Sequence, residues 1–257
     1  MVKYNNHFVF AYSGNKRNEM IEINKDVNLE NVETIIEPFC GSGAFSFYTA
    51  RDSSKKYKYI LNDANKNLIE LFEICKDPCK LKDFERIVND IAEGLDKEKY
   101  TMIKNKEDVV SYYIANKVYK RVVGLFPNDY KYKYIDMHKC PFVDFIRNEQ
   151  VSLSSVNGTV LLDEYKNDKT AFIFCDPPYL MSHNGFYDKS DDNIYENIYE
   201  NVYHNNVNEY KCKILFCLES NWLVDLLFSK CKNKRTFDKK YTGLSKRVCK
   251  FTNITNY

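Results

Sequence analysis

The chain has 257 residues, a net charge of +2, nine cysteines, four histidines and eight glycines, long enough for one large α/β domain or a domain carrying an insertion. The cysteine count is odd, no Cys-x-x-Cys occurs, and the close pairs Cys75–Cys79 and Cys212–Cys217 lack a second pair or histidines at ligand spacing, so neither a disulfide framework nor a metal is expected. No run approaches the roughly 18 apolar residues of a membrane span and no charged leader with an apolar core opens the chain, so the expectation is a soluble, intracellular protein with no membrane contact.

Thr34 to Ile36 reads as a short buried strand that ends at Glu37-Pro38-Phe39, and Cys40-Gly41-Ser42-Gly43 then opens a helix from Ala44 to Arg51. A second strand, Tyr57 to Leu61, ends in Asn62-Asp63 and is followed by a helix with Leu68, Leu71, Phe72 and Cys75 on one face. Two strand-helix units in succession imply a parallel sheet. From about residue 80 to 150 the pattern is helical without strands: Leu81 to Leu95 is one helix, Val109 to Val123 another, and Phe126 to His138 a loop. The sheet resumes at Val151 to Leu153 and at Ala171 to Cys175. A four-residue repeat over residues 193–204 keeps Ile194, Ile198 and Val202 on one face and predicts a helix. Lys213 to Leu218 is a further strand, Trp222 to Phe228 a helix, and the C-terminal thirty residues form a strand pair.

Two stretches carry chemistry. Gly41 and Gly43 let a ligand approach the backbone at a strand end, and the helix that follows presents its first amides there. Asp63 stands twenty residues beyond Gly43 at the next strand end, from which a carboxylate reaches ribose hydroxyls. Together they point to an adenosine-containing cofactor, and the absence of a third glycine or of Gly-x-x-x-x-Gly-Lys-Ser/Thr argues against dinucleotides and triphosphates. In Asp176-Pro177-Pro178-Tyr179 the prolines turn the chain out of the sheet and stiffen it, leaving a carboxylate, rigid carbonyls and a ring. Such a slot accepts hydrogen bonds from an exocyclic amino group and stacks on its heterocycle.

Glu37-Pro38-Phe39-Cys40-Gly41-Ser42-Gly43 with Asp176-Pro177-Pro178-Tyr179 resembles the Dam-like (D12 class) N6-adenine-specific DNA methyltransferases, whose cofactor loop reads Glu-Pro-Phe-x-Gly-x-Gly. Tyr12-Ser13-Gly14-Asn15-Lys16 is similar to that family's Trp-Ala-Gly-Gly-Lys, and Leu61 to Asn65, Ser220-Asn221 and Asn256-Tyr257 extend the match. The resemblance implies a Rossmann-like S-adenosylmethionine-dependent sheet in residues 1–78 and 150–257, with a mainly helical target-recognition subdomain inserted at 79–149. It implies cofactor contacts from Tyr12, Gly14, Lys16, Glu37, Pro38, Phe39, Gly41, Ser42, Gly43, Asp63 and Asp176. Catalysis falls to Asp176, Pro177, Pro178 and Tyr179, acting on an adenine flipped from double-stranded DNA by a monomer.

The basic stretch Lys230 to Lys250 sets nine bases against Asp238 alone, and it corresponds to a DNA-facing loop in the resembling enzymes. Phosphate contacts are therefore expected from Lys239, Lys240, Lys246 and Arg247. Tyr130-Lys131-Tyr132-Lys133-Tyr134 reads either as backbone contact and stacking or as a solvated turn. The family's Asn-Arg-x-Gly element survives only as Asn116 to Val122 without its glycines, which leaves the recognition sequence unreadable. Competing readings are a catalytically silent fold that binds DNA or a partner, an RNA or other amino-group methyltransferase, and a cytosine methyltransferase.

Overall fold

A computed structural model describes residues 7–10, 12, 14–118, 125–179, 209–240 and 248–257. They form two compact units: Met1–Asn15 with Asn65–Leu153, and Lys16–Ala64 with Ser154–Tyr257. These joints fall elsewhere than the 78/79 and 149/150 boundaries read from the sequence. The helix carrying Leu68, Leu71, Phe72 and Cys75 turns that apolar face toward helices of the first unit and is counted with them.

The strands are β1 Thr34–Glu37, β2 Lys58–Asn62, β3 Val151–Ser154, β4 Ala171–Cys175, β5 Lys213–Glu219, β6 Asn233–Lys240 and β7 Val248–Thr255. They lie in one sheet in the order β3-β2-β1-β4-β5-β7-β6. Strands β2, β1, β4 and β5 run parallel, while β7 enters antiparallel to both β5 and β6. From β1 the chain builds outward through β2 to β3, then returns to place β4 on the other side of β1. The strand order reverses between β1 and β4, and the crevice beyond their carboxyl ends is where ligands bind in open α/β sheets.

Strand β4 is buried throughout, as a near-continuous apolar run predicts for a parallel strand covered on both faces. Phe172 and Phe174 point one way, and Phe45 of α2 (Ala44–Asp52) stacks on both, with centroids 5.5 and 4.3 Å away. Ala171, Ile173 and Cys175 point the other way. They join a core with Leu161 and Leu162 of α8 (Gly158–Tyr165) and with Val224 of α9 (Trp222–Leu227). Helices on both faces leave the strand ends as the open edge.

Before β1 lie a 3-10 turn, Lys16–Asn18, and the short helix α1, Met20–Ile23. Arg235 of β6 anchors this segment, with a fork on Asp26 at 2.8 and 2.9 Å and a further bond to Glu22 at 2.9 Å. At the other terminus the Asn256 side chain continues the ladder of β5: it accepts from the Ile214 amide at 3.0 Å and donates to the carbonyls of Tyr210 and Cys212.

The first unit holds α3 Lys66–Lys76, α4 Pro78–Glu93, α5 Lys97–Ile103, α6 Val109–Lys117 and α7 Pro141–Ile146. Helix α6 is shorter than the expected Val109 to Val123, and residues 119–124 lie outside the described residues. The expected loop from Phe126 to His138 contains neither helix nor strand, and two buried side chains of α4 tie it down. Asn89 donates to Ile135 O at 2.9 Å and accepts from the Ile135 amide and the Tyr132 hydroxyl, while Glu85 accepts from the amides of Met137 and His138. The Tyr130 hydroxyl donates to Ala92 O at 2.8 Å. Tyr130 and Tyr132 thus serve α4, while Lys131, Lys133 and Tyr134 are exposed. The helix expected over residues 193–204 lies outside the described residues.

Among the described residues no helix is long and apolar enough to cross a membrane, and no group of three or more His, Cys, Asp or Glu could hold a metal. All nine cysteines are free thiols.

Candidate active site

Four side chains of the second unit meet at the reversal point of the sheet. Strand β4 ends at Cys175, Asp176 follows directly at its carboxyl end, and the two prolines then turn the chain to Tyr179. The 3-10 turn delivers Lys16, which is 4% exposed. Its ammonium donates to Asp176 Oδ2 and, at 2.6 Å, to the Tyr179 hydroxyl, which itself donates to Asp176 Oδ1 at 3.1 Å. A cation, a carboxylate and a phenol thus close a triangle. Phe251 of β7 completes the group: Tyr179 meets its ring edge-on at 5.5 Å, and the Lys16 ammonium lies 5.8 Å from its centroid.

Burial alone would discharge Lys16. Attraction to Asp176, together with its hydrogen bond and lesser contributions that include Glu19, outweighs that cost and lifts the ammonium above the usual lysine range. Lys16 is therefore held in its charged form at neutral pH.

The glycine loop lies beyond β1. Gly41 and Gly43 have φ of 49° and 65°, the left-handed region that only glycine enters without steric cost. Gly43 precedes α2, whose entry carries no capping bond from the Gly43 position. Glu37, fully buried at the end of β1, supplies the acceptor instead: its Oε1 takes the Ser46 amide at 2.8 Å, one of the helix's orphan donors. Burial pushes the Glu37 carboxyl up to about 7, with Asp176 adding to the rise, even though the Ser46 bonds and Lys16 oppose it.

Asn62 and Asp63, at the end of β2, hold the loop in place. Asn62 has no exposed surface and uses its whole amide: it donates to Pro38 O and Val156 O at 2.8 and 3.0 Å and accepts from the Ser154 hydroxyl and the Val156 amide at 2.8 and 2.9 Å. Asp63 Oδ2 accepts from the Gly41 amide at 2.9 Å. Across the loop, Gly158 opens α8 so closely that a Cβ there would come 2.8 Å from Pro38 O and 2.7 Å from the Phe39 ring.

Of the residues singled out from the sequence, Lys16, Glu37, Pro38, Phe39, Gly41, Ser42, Gly43, Asp63, Asp176, Pro177, Pro178 and Tyr179 all lie in this unit, at the end of β1, on the loops after β1, β2 and β4 and on the 3-10 turn. Tyr12 and Gly14 belong to the first unit, with Gly14 in a left-handed turn at φ 84°. The basic stretch divides. Lys230, Lys232, Lys234 and Lys250 are exposed, whereas Arg235 is held by Asp26 and Glu22. Lys239 sits elsewhere than on an open basic face: its side chain is 10% exposed and paired with Glu19 at 3.2 Å. Lys240 ends β6, its side chain outside the described part, and Lys246 and Arg247 lie outside the described residues.

Sequence reasoning missed Phe251, Asn62, Glu19 and Gly158 as supports. Asn62 could have been found as a polar residue ending a buried strand, and Phe251 as an inward-facing aromatic of the C-terminal strand pair. Glu19 and Gly158 gave no signal, because their importance comes from a distant partner.

A sheet whose parallel strands reverse their order between β1 and β4, with a glycine loop, an acid at the end of β2 and an Asp-Pro-Pro-Tyr turn after β4, is the arrangement of a Rossmann-like methyltransferase. The family profile for D12 class N6 adenine-specific DNA methyltransferase matches residues 12–242. The chain belongs to that family, and its reaction is methylation of adenine in DNA. Among solved structures it is similar to the human methyltransferase 10 domain containing protein, at 8% identity over 94% of this chain and 82% of that chain, with a TM-score of 0.41. No match was found among curated proteins.

Proposed function

We propose that the triangle of Lys16, Asp176 and Tyr179 is where an adenine extruded from double-stranded DNA receives its methyl group, and that S-adenosylmethionine lies along the Glu37 to Gly43 loop. The observation that carries this reading is the joining of the Asp-Pro-Pro-Tyr carboxylate to a buried lysine at the reversal of the sheet.

The donor set suits the cofactor. Asp63 at the end of β2 would take ribose hydroxyls, the two left-handed glycines allow close approach, and Lys16 would offer a positive charge and Glu37 a carboxyl that titrates at about 7 to the amino-acid end. Tyr12 and Gly14 complete the proposed cofactor set. When bound, S-adenosylmethionine supplies an electrophilic methyl group.

The 6-amino lone pair of adenine is delocalised into the ring and nucleophilically weak. Asp176 Oδ1 and the Pro177 carbonyl accept hydrogen bonds from that amino group, favour a tetrahedral nitrogen and stabilise the positive charge that develops as it attacks. Lys16 and the Tyr179 hydroxyl fix the carboxylate, so no reorganisation is needed at the moment of reaction. The two prolines fix the carbonyl, and the Tyr179 ring provides a stacking face for the base. Alignment of the reactants supplies much of the remaining acceleration.

Residues 79–149 are proposed to read the target sequence, and Lys240, Lys246 and Arg247 to contact phosphates. Duplex DNA incubated with methyl-labelled S-adenosylmethionine should yield N6-methyladenine on nucleoside analysis, and Asp176→Ala should abolish it. Unimpaired transfer by Asp176→Ala, or N4-methylcytosine as the product, would overturn the reading.

A further inference from the structure

We propose that Lys239 and Glu19 are positioning residues for the Lys16–Asp176–Tyr179 triangle, and that Lys239 works inside the protein rather than on DNA phosphates. The inference rests on the reading of that triangle as the site of methyl transfer.

Glu19 follows directly on the 3-10 turn that carries Lys16, and its amide donates to Lys16 O at 2.9 Å. Its carboxylate is buried, with Oε1 on Lys239 Nζ at 3.2 Å and Oε2 without a hydrogen-bond partner among the described residues. The Lys239 ammonium lies 5.0 Å from the centroid of Phe251, the ring that Lys16 approaches to 5.8 Å and that Tyr179 meets edge-on. Phe237, two residues before Lys239 on β6 and opposite Phe251 in register, stacks on the same ring at 6.0 Å. Phe251 is the hub on which both lysines and the catalytic tyrosine rest.

The charges alternate: Asp176, Lys16, Glu19, Lys239. All four act on one buried neighbour, the Cys217 thiol of β5, which burial pushes up to about 12. Glu19 attracts Lys16 as well as Lys239. Because Lys239 engages Glu19, the Lys16 ammonium is left to Asp176 and Tyr179. Without Lys239 the buried Glu19 carboxylate, stripped of that counter-charge, would draw Lys16 back along its own turn, opening the triangle and loosening Tyr179.

A phosphate contact and a positioning residue differ in what their loss changes. Lys239→Met should lower kcat on the order of tenfold to a hundredfold, as displaced catalytic groups do, with KM for DNA and the salt dependence of DNA binding unchanged. Glu19→Gln combined with Lys239→Met removes both charges and should return kcat to near the wild-type rate, and Lys239→Arg should keep it. Unchanged kcat with weaker DNA binding and a salt slope reduced by about one, or a double variant as slow as the single, would overturn the proposal.

A fluorine label on the Tyr179 ring, read by NMR, needs no turnover. Its resonance should move in Lys239→Met and return in the double variant, and a resonance that stays put would overturn the positioning role. If the wild-type protein transferred no methyl to DNA, the proposed function would fall while the fluorine measurement still decided this point.

Discussion

Glu37 bears opposite demands. It caps α2 through the Ser46 amide and lies within reach of the charges of Asp176 and Lys16, yet burial favours its protonated form and brings its pKa to about 7. Between the ordinary glutamate pKa and about 7 the folded state therefore binds more protons than the unfolded state. The contribution to stability is present in full below that ordinary pKa and is lost as pH rises through 7, by up to about 3 kcal/mol. Glu37→Gln keeps an acceptor for Ser46 and removes the titration. In urea unfolding the variant should exceed wild type at pH 8, and the two should converge as pH falls toward the ordinary glutamate value. Asn62 is the opposite case, a neutral side chain with every hydrogen-bonding position filled. Asn62→Ala removes a partner from the buried Pro38 carbonyl and from the part-buried Val156 carbonyl, Val156 amide and Ser154 hydroxyl, and should cost about 2–4 kcal/mol by denaturant titration, since each buried partner lost costs about 1–3 kcal/mol before relaxation.

At the scale of elements, the long apolar runs were legible. Strands β1, β2, β4 and β5 and helices α2, α3, α4 and α9 fall within a residue or three of where periodicity and the glycine and proline breaks put them. Helices α1, α5, α7 and α8 were not read: they span four to eight residues, too few turns for a 3.6-residue period to separate from chance. Helix α8 is the one that matters most to the site, because Gly158 lets it close on the Pro38-Phe39 corner. Its backbone carries no left-handed strain, so the constraint is space alone. Gly158→Ala should push that corner away and lower stability by about 1–3 kcal/mol in thermal melts. It should also weaken S-adenosylmethionine binding in calorimetry, whereas Gly94→Ala, facing only the end of Lys99 at 3.6 Å, should do neither.

For the whole molecule, a net charge of +2 gives little long-range pull on DNA, so binding depends on where the bases stand. Each phosphate contact contributes about 0.9 to the slope of log affinity against log salt. Replacing Lys240, Lys246 and Arg247 together with neutral residues should lower that slope by about three, as measured by fluorescence anisotropy over a salt series. Arg235 adds nothing to it, because its guanidinium is already committed to Asp26 and Glu22.

The sequence by itself determined the class of chemistry. An acid and two prolines after a buried strand, and glycines with an acid one strand later, are local requirements of backbone and ligand, so they can be read without knowing what packs where. What only the tertiary structure decided is how those pieces are held. That Lys16 reaches Asp176 across 160 residues, that Asn62 locks the glycine loop, and that Lys239 turns inward to Glu19 follow from strand order and register, which bring together charges that no spacing along the chain relates.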